Sequence, residues 1–532
     1  MTRIISCMLM TLFISQLAFG QKTSKNIEMT WGKEFKESKK TTLIDIVGYD
    51  ESGIYALKAR MSLFSAGQKY IEHYDKKMNQ TKSVELVQYY NDDELYPEFI
   101  VQFNTELYLF SSFINKKQKM NYLFVSSINK KTLEPNHDLK KIAEINYKYY
   151  SKYNAGGYFY DLSDDSTKLM IYYDLPYKKG LNEKFGFHVF DEDLNLIWKK
   201  SITLPYKEEL FAIEKYRVDN NGNTYILGRI YKDIKKEKRK GKPNYKYQVL
   251  AYSNEGNTLI EYPIHLTGKF FTDMNIAINK DNDIVCGGFF SEEGTFSIKG
   301  CYFLCIDGET KEITTKSFKD FSIDFLTQNM KERIAKKTKK KAAKGKTVEL
   351  YEFDLSDFVL RSDGGALLIG EQYYTYTRTT YHTDANGHTT STTTYYNVYN
   401  DIIVININPD GEIEWAEKIA KHQHTMNDYG FYSSYALAVV NDKLYFIFND
   451  NPKNIYYKSV GKPQRFTKGK NSIVMVIEMD ADGNQSRSAL YRVNDDAVLT
   501  RPKVCEQIAK NEMIIFSQKR KHQRFGMVTF KD

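Results

Sequence analysis

The sequence contains little of several features that define common protein classes. Cysteine occurs five times and proline ten times in 532 residues, and no apolar run after residue 20 is long enough to span a membrane. The signatures of serine-hydrolase elbows, zinc proteases, phosphate-binding loops and haem attachment are missing. We therefore expect no cofactor and no transmembrane segment, and no local motif assigns an enzyme class.

The cysteines are too few and too scattered to frame the fold. Cys301 and Cys305 are four residues apart on one predicted strand, so their Cα atoms would be about 13 Å apart. A disulfide spans at most about 7 Å between Cα atoms. Cys286 is left to pair across a hairpin with Cys301 or Cys305, although buried free thiols, including Cys505, are the interpretation we favour.

Residues 1–20 have the pattern of a secretory signal peptide. A positive charge at Arg3 precedes an apolar run over residues 4–17, and small residues lead to a cleavage site before Gln21. The sequence thus predicts a secreted protein of the periplasm or cell surface, with one folded domain over residues 21–532.

One unit of two hairpins recurs along the chain. Its fullest copy spans residues 357–418, where predicted strands turn at Asp363-Gly364 and Asp410-Gly411, a strong hairpin signal. The 42 tyrosines and 32 phenylalanines also favour β structure. We number the units 1 to 8. Their apolar second strands lie at residues 54–57, 107–110, 169–172, 225–228, 284–287, 367–370, 444–447 and 513–516.

Four strands in each repeating unit predict an all-β fold, a β-propeller in preference to a β-solenoid. Eight blades are the preferred count, and seven remain possible if one blade has been counted twice. An isolated strand at residues 26–31 has no hairpin partner. We expect it to complete the last blade and close the ring, which would hide both free sheet edges.

Unit 6 also carries a family resemblance. The stretches SDGGALLIG (residues 362–370) and VININPDGEIEW (residues 404–415) resemble repeats of secreted bacterial β-propellers, which are distant relatives of quinoprotein-type propellers. Unit 3 keeps the tryptophan of this pattern, at Trp198, but not its glycine. The resemblance implies the fold over most of the chain, and no activity or cofactor.

Long insertions are predicted on a single face of the propeller. Successive turns of antiparallel strands alternate between two faces, and the tight Asp/Gly turns occupy one of them. The other face, the loop face, receives a basic loop at residues 231–246, a basic helix at 321–348 and a hairpin at 373–400. The net charge of +9 thus hides an uneven distribution.

The basic loops of units 4 and 7 are the predicted binding surface. Their residues are Lys235, Lys236, Lys238, Arg239, Lys240, Lys458, Lys462 and Arg465. A face of this charge suits an anionic partner, an envelope protein or an anionic glycan. The alternative is that these lysines only solvate the surface, and Glu292 and Glu293 in unit 5 interrupt the pattern.

The insertion at residues 373–400 is rich in threonine and tyrosine, and Asn386-Gly387 predicts a tight type I′ turn at its tip. We expect a long hairpin that contacts a partner through Tyr376, Arg378, Tyr381 and Tyr395, because tyrosine offers contact area at low entropic cost. The alternative is a hairpin that folds back over its own unit.

No metal site is predicted. His382, Asp384 and His388 near the hairpin tip, and the pair His422 and His424, lack the ligand number of known sites. Residues 480–484 resemble the start of a calcium loop, but Tyr491 replaces the required glutamate, so we interpret them as a turn.

These observations predict a non-catalytic binding or scaffold protein, monomeric or part of a hetero-complex, without a nucleic-acid partner. The alternative is a polysaccharide hydrolase or lyase with its site in the central channel, which clustered carboxylates and aromatic residues at the channel mouth would favour. A purely structural envelope protein is the third possibility.

Overall fold

The computed structural model describes residues 26–531 except 38–39, 61–66, 241, 265–266, 347, 459–460, 469–471 and 494–498. The predicted signal peptide, residues 1–20, lies outside the described residues. Antiparallel strands make up most of the described chain. Of the helices described, none has the length and apolarity needed to span a membrane.

The first three units each form a four-stranded antiparallel sheet. Two short strands come first, β1 (Ile27–Trp31) and β2 (Phe35–Lys36). Sheet 1 contains β3 (Thr41–Asp50), β4 (Gly53–Arg60), β5 (Lys69–Asp75) and β6 (Gln80–Glu85). After the connector strands β7 (Tyr89–Tyr90) and β8 (Asp93–Glu94), sheet 2 contains β9 (Tyr96–Phe103), β10 (Glu106–Asn115), β11 (Met120–Ser127) and β12 (Lys140–Asn146). Sheet 3 contains β13 (Gly157–Leu162), β14 (Leu169–Asp174), β15 (Asn182–Phe190) and β16 (Leu196–Lys207).

Sheets 4 to 6 contain the insertions. After a 3₁₀ turn (Glu208–Leu210), sheet 4 contains β17 (Phe211–Val218), β18 (Thr224–Tyr231), β21 (Tyr245–Ser253) and β22 (Thr258–Ile264). Between β18 and β21, an inserted hairpin of β19 (Lys238–Arg239) and β20 (Lys242–Pro243) forms a separate two-stranded sheet. Sheet 5 contains β23 (Lys269–Ile278), β24 (Ile284–Glu292), β25 (Gly300–Ile306) and β26 (Ile313–Asp320), and is followed by α1 (Ile323–Thr327) and α2 (Glu332–Ala342). Sheet 6 contains β27 (Phe353–Leu360), β28 (Ala366–Thr383), β29 (Thr389–Ile407) and β30 (Ile413–Ile419), with β31 (Gln423–Met426) paired to β29.

Sheets 7 and 8 complete the series. Sheet 7 contains β32 (Ala436–Val440), β33 (Lys443–Asp450), a 3₁₀ turn (Pro452–Tyr456), β34 (Ile473–Met479) and β35 (Gln485–Arg492). Sheet 8 contains β36 (Leu499–Thr500), a 3₁₀ turn (Pro502–Val504), β37 (Glu506–Ala509), β38 (Glu512–Lys519) and β39 (His522–Phe530).

The outermost strand of sheet 8 comes from the other end of the described chain. β1 pairs antiparallel with β39, with Ile27 opposite Phe530. The ladder continues beyond this pair, where the Lys531 amide donates to the Asn26 carbonyl at 2.7 Å. This is the pairing that the sequence predicted for the strand at residues 26–31.

Apolar cores lie between consecutive sheets. In the described residues, eight buried clusters each combine side chains of two neighbouring sheets. One joins sheets 1 and 2 through Leu57 and Leu109, and another joins sheets 8 and 1 through Phe516 and Ile54. Each sheet is therefore covered on both faces, which explains the continuous apolar runs in the second strands.

Aspartate turns connect the strands as the sequence indicated. In one of them the Asp219 carboxylate accepts the amides of Asn221 at 2.9 Å and Asn223 at 2.8 Å, so the side chain satisfies the turn's own backbone. Asp480 accepts two amides in the same manner. Residues 480–484 are thus a turn, as predicted.

The tryptophans of the repeat pattern connect neighbouring sheets. Trp198, on the outer strand of sheet 3, donates from Nε1 to the Gly222 carbonyl of sheet 4 at 2.9 Å. Trp415 of sheet 6 donates to the Ala481 carbonyl of sheet 7 at 2.8 Å. Both indoles satisfy their only donor across an inter-sheet contact.

The four described cysteines are free thiols. Cys286 lies in the core between sheets 4 and 5, whereas Cys301 and Cys305 pack between sheets 5 and 6. They project from opposite faces of sheet 5, so neither pairing that the sequence left open is formed. The preference for free thiols is confirmed, although only Cys286 and Cys301 are buried and Cys305 and Cys505 are partly exposed.

Candidate functional site

The insertions share one end of the sheets. Because all the sheets are antiparallel, their connections alternate between the two strand ends. The links β18–β21, β26–β27, β28–β29 and β33–β34 all lie at the end opposite the tight aspartate turns. This is the loop face.

The Thr/Tyr insertion forms a long two-stranded hairpin. β28 and β29 stay paired as far as Thr383 opposite Thr389. At the tip, the Asp384 amide donates to the His388 carbonyl, and the Gly387 amide donates to the Asp384 carbonyl. Gly387 has a positive φ but Asn386 does not. The predicted type I′ turn is therefore wrong, and the loop is of the longer kind that ends on a left-handed glycine.

The hairpin stands away from the rest of the molecule. Residues 375–393 are exposed on both of its faces, so the alternative in which it folds back over unit 6 is wrong. The predicted contact residues are accessible, with exposed fractions of 42% for Tyr376, 75% for Tyr381 and 61% for Tyr395. Arg378 is exposed as well.

At the foot of the hairpin, two tyrosine rings and His424 lie near the loop that carries Lys462 and Arg465. That loop adjoins β31, since the Phe466 amide donates to the His422 carbonyl at 2.8 Å. The rings of Tyr376 and Tyr396 stack, with centroids 4.6 Å apart and planes at 10°. The Tyr376 hydroxyl is 2.9 Å from Nε2 of His424. Partial burial, followed by the positive charges of Arg465 and Lys462, lowers the pKa of His424. We call these five residues the hairpin-foot cluster.

Buried amides fix the loop that carries the two cations. Asn454 exchanges hydrogen bonds with the backbone of Gln464, both at 2.8 Å, and Asn451 donates to the Arg465 carbonyl at 3.1 Å. The backbone that carries Lys462 and Arg465 is thus held by side-chain hydrogen bonds, and a backbone fixed before binding reduces the entropic cost of binding. Lys458 of the same loop is exposed, and no described contact joins it to the cluster.

The unit 4 loop does not join this cluster. Its predicted residues are exposed: Lys235, Lys236, Lys238, Arg239 and Lys240. Arg239 forms an ion pair with Asp233, and Lys238 lies over the Phe296 ring of sheet 5 at 4.2 Å. Lys235 borders a cavity of about 510 Å³ beside three carboxylates, those of Asp174, Glu183 and Glu208. The charge of this loop is therefore partly balanced by nearby acids.

The first strands of several sheets carry charged residues directly after β-bulges. β-Bulges interrupt the pairing of the first strand in sheets 1, 4, 5 and 6. The residues directly after these bulges are Asp45, Lys215, Asp273 and Asp357. Asp273 reaches the next sheet, where it accepts the Leu355 amide at 2.6 Å. Bulges re-aim side chains and are frequent next to functional sites.

A cavity of about 650 Å³ is bordered by the first strands of sheets 1, 2 and 3 and by Glu506 of sheet 8. Asp45 and Tyr160 also line it. The surrounding protein raises the pKa of Glu506 to about 7, and the neighbouring Asp45 adds to the rise. Desolvation likewise raises the pKa of Asp45. Both carboxyl groups nevertheless stay open to solvent in the cavity, a combination suited to proton transfer.

Glu506 also lines a second cavity of about 530 Å³, which extends to the loop-face residue Lys503. The rings of Tyr373 and Tyr399 lie 4.5 Å apart, and Lys503 donates to the Tyr399 hydroxyl at 3.0 Å. Asp357 and Tyr435 complete this wall. Carboxylates and aromatic residues thus cluster here, the arrangement expected of the enzyme alternative.

Sequence reasoning found only some of these groups. Tyr376, Lys462 and Arg465 were predicted, but their convergence on His424 was not. Asp45 and Glu506 were missed, because they lie near opposite ends of the chain and each resembles an ordinary strand residue. No group of three or more metal-ligating side chains occurs in the described part of the chain.

Comparisons with known proteins give remote structural similarity. The WD40 domain of SCAP from fission yeast has a TM-score of 0.39 and 8% identity, covering 95% of this chain and 98% of that one. The polysaccharide lyase Uly1 has a TM-score of 0.34 and 10% identity, covering 94% of this chain and all (100%) of that one. The periplasmic gluconolactonase PpgL of Pseudomonas aeruginosa has a TM-score of 0.32 and 9% identity, covering 71% and 86% of the two chains.

Similarity at this level does not assign the chain to a family. No protein-family model matches the chain, and no curated protein matches it significantly. The resemblance of unit 6 to secreted bacterial propeller repeats therefore stays a prediction.

Proposed function

We propose that the eight sheets are the blades of one β-propeller, closed by β1. The core clusters support this arrangement, because they connect each sheet to the next and sheet 8 to sheet 1. The pairing of β1 with β39 gives the last blade its outer strand. With the signal-peptide pattern of residues 1–20, we place this propeller outside the cytoplasm.

We further propose that the protein binds an anionic glycan on its loop face, at the hairpin-foot cluster. The observation that carries this function is a stacked tyrosine pair that contacts His424 beside the loop of Lys462 and Arg465, which joins β31 where the Phe466 amide donates to the His422 carbonyl at 2.8 Å. A tyrosine face packs against the apolar side of a sugar ring. Arginine binds the planar oxygens of a carboxylate or sulfate in two-point fashion.

The expected binding energy divides between these two contacts. Electrostatic attraction by exposed cations weakens as salt screens it, over a Debye length of about 8 Å at physiological ionic strength. Ring stacking adds on the order of 1 kcal/mol and does not depend on salt. Binding should therefore weaken as salt rises but not disappear.

The test is calorimetric titration of the full chain with alginate, a sulfated galactan and uncharged dextran. We expect binding of at least one acidic polymer, no binding of dextran, and a roughly tenfold or greater loss in Lys462→Glu/Arg465→Glu, equivalent to about 1.4 kcal/mol. The matched control is Lys236→Glu/Lys240→Glu in the unit 4 loop, which makes the same charge change and should retain affinity. Equal losses of affinity in both variants would show that binding depends only on net charge, and would reject the hairpin-foot cluster as the binding site.

A second function, glycan cleavage, is favoured by Asp45 and Glu506 on one cavity wall. A carboxyl group with its pKa near 7 can deliver a proton at neutral pH, and a partner carboxylate can activate water or attack the sugar. Tyr160 lines the same cavity and gives the sugar an aromatic surface.

The same polymers serve as substrates for this second function, with new reducing ends or unsaturated products as the readout. We expect Glu506→Gln and Asp45→Asn each to lower turnover by about a hundredfold or more. Glu192→Gln, at the rim of the same cavity, should leave turnover unaltered. Binding without turnover in the unsubstituted chain would leave the glycan-binding role and dismiss the catalytic one.

A further inference from the structure

The β28 side of the Thr/Tyr hairpin is an open backbone edge. The Tyr373 amide donates to the Glu352 carbonyl, so the backbone of Tyr373 points toward the β27 side, away from β29. In an antiparallel pair, the backbone groups of every second residue point in the same direction. Residues 375, 377, 379, 381 and 383 therefore turn their amides and carbonyls away from β29. In the described part of the chain, no strand pairs with this edge beyond β27, which ends its pairing at Gln372.

The opposite edge of the hairpin is partly covered. β31 pairs with β29 from Tyr396 to Tyr399. One step further, Asn427 bonds to both the amide and the carbonyl of Tyr395. This contact confirms that the amide and carbonyl of Tyr395 point away from β28. The covered part of the β29 edge ends at this residue. Along residues 375–383, none of the residues that the structure describes forms a comparable cap.

That edge also lacks the devices that keep strands from pairing. Natural edge strands carry lysine, proline, bulges or inward charges that prevent edge-to-edge contact. Charged residues make up 27% of the chain, yet Arg378 is the one charge between residues 374 and 383, and the stretch has no proline. Its pairing with β29 is regular from Tyr373 to Thr383.

We propose that this edge pairs with the same edge of a second copy of the chain, giving a two-fold symmetric dimer through a four-stranded sheet. If the two-fold axis passes through Thr379, residues 375–383 of one copy pair with residues 383–375 of the other. The five residues whose backbone points outward can then form about ten hydrogen bonds between the two copies. In this register Arg378 faces Thr380 of the second copy and Thr377 faces its Tyr381. No like charges oppose each other, and the symmetric contact closes on itself.

The matched variants are Thr379→Pro and Thr393→Pro. Thr379 and Thr393 oppose each other across the hairpin, and their amides point outward on opposite edges, so neither proline removes a bond within the hairpin. We expect sedimentation of the full chain, from about 1 to 300 µM, to show a reversible dimer, as a small interface of this kind predicts. Thr379→Pro should weaken dimerisation at least tenfold, and Thr393→Pro should change it less than twofold.

Hydrogen exchange identifies the contact independently of affinity. Raising the protein concentration should slow exchange at the amides of Thr377, Thr379 and Tyr381, and leave Ser391 and Thr393 unaltered. A chain that stays monomeric over the whole range overturns the proposal, as do equal effects of the two prolines. Protection that arises only with an extended peptide of other sequence would reassign the edge to a different partner. Glycan titration of Thr379→Pro separates this outcome from the proposed function, since Thr379 is not in the hairpin-foot cluster.

Discussion

Charged side chains closed off from water lie between sheets 6 and 7. Lys421 and Glu371 pair at 2.6 Å with side-chain exposures of 0% and 4%. Asp450 is fully buried; one carboxylate oxygen accepts the Asn454 amide group at 2.7 Å, and the other accepts no hydrogen bond from the described residues. Burial therefore raises the pKa of Asp450 to about 7.

This shift predicts how stability depends on pH. An aspartate in the unfolded chain has a pKa of about 3.9, so between that value and about 7 the folded state binds more protons at Asp450 than the unfolded state. The free energy of unfolding then falls as pH rises through this window. Asp450→Asn should flatten the fall, as measured by urea unfolding at several pH values. Asp480 lies in an exposed turn where Asn484 and backbone bonds lower its pKa, so Asp480→Asn should alter the pH dependence only around and below pH 4 and leave the slope between about pH 5 and 7 unaltered. An unaltered slope over that range in Asp450→Asn would contradict the assignment.

At the scale of elements, the sequence predicted most of what local chemistry decides. Asp/Gly turns and apolar strands located the hairpins, because such turns need particular backbone angles and bonds. The hairpin at residues 373–400 followed from the same signals, although its turn type did not, since Asn386 tolerates either sign of φ.

The elements that sequence reasoning missed depend on contacts between sheets. Bulges such as the one before Asp273 are set by how a strand packs against its neighbours, and no composition marks them. The acids beside Lys235 come from sheet 3 and the turn after it, so the unit 4 loop is less positive than its own sequence indicated. The convergence of Tyr376 with Arg465 likewise needs two units in place.

At the scale of the whole molecule, β1 provides the test of closure. The amides of Gly32 and Lys531 both take part in the β1–β39 ladder, so by alternation Thr30 turns its amide toward β39. Thr30→Pro should remove that bond and leave the facing carbonyl of β39 unpaired, lowering the free energy of unfolding by roughly 1–3 kcal/mol. Thr30→Ala keeps the backbone amide and should lower the free energy of unfolding by only a few tenths of a kcal/mol. Equal unfolding midpoints for the two variants would show that β1 does not hold the last sheet.

The same pairing has a consequence for biosynthesis. Ile27 and Phe530 are partners although roughly 500 positions separate them, which makes this contact among the most non-local that the chain can form. β1 leaves the ribosome long before β39 exists, so a free strand must wait until the rest of the chain has been made. During that interval the apolar side of β1, with Met29 and Trp31, stays without the cover that it later finds against sheet 7 and sheet 8. A chaperone that binds unpaired strands would therefore have to bind this end of the protein for longer than any other.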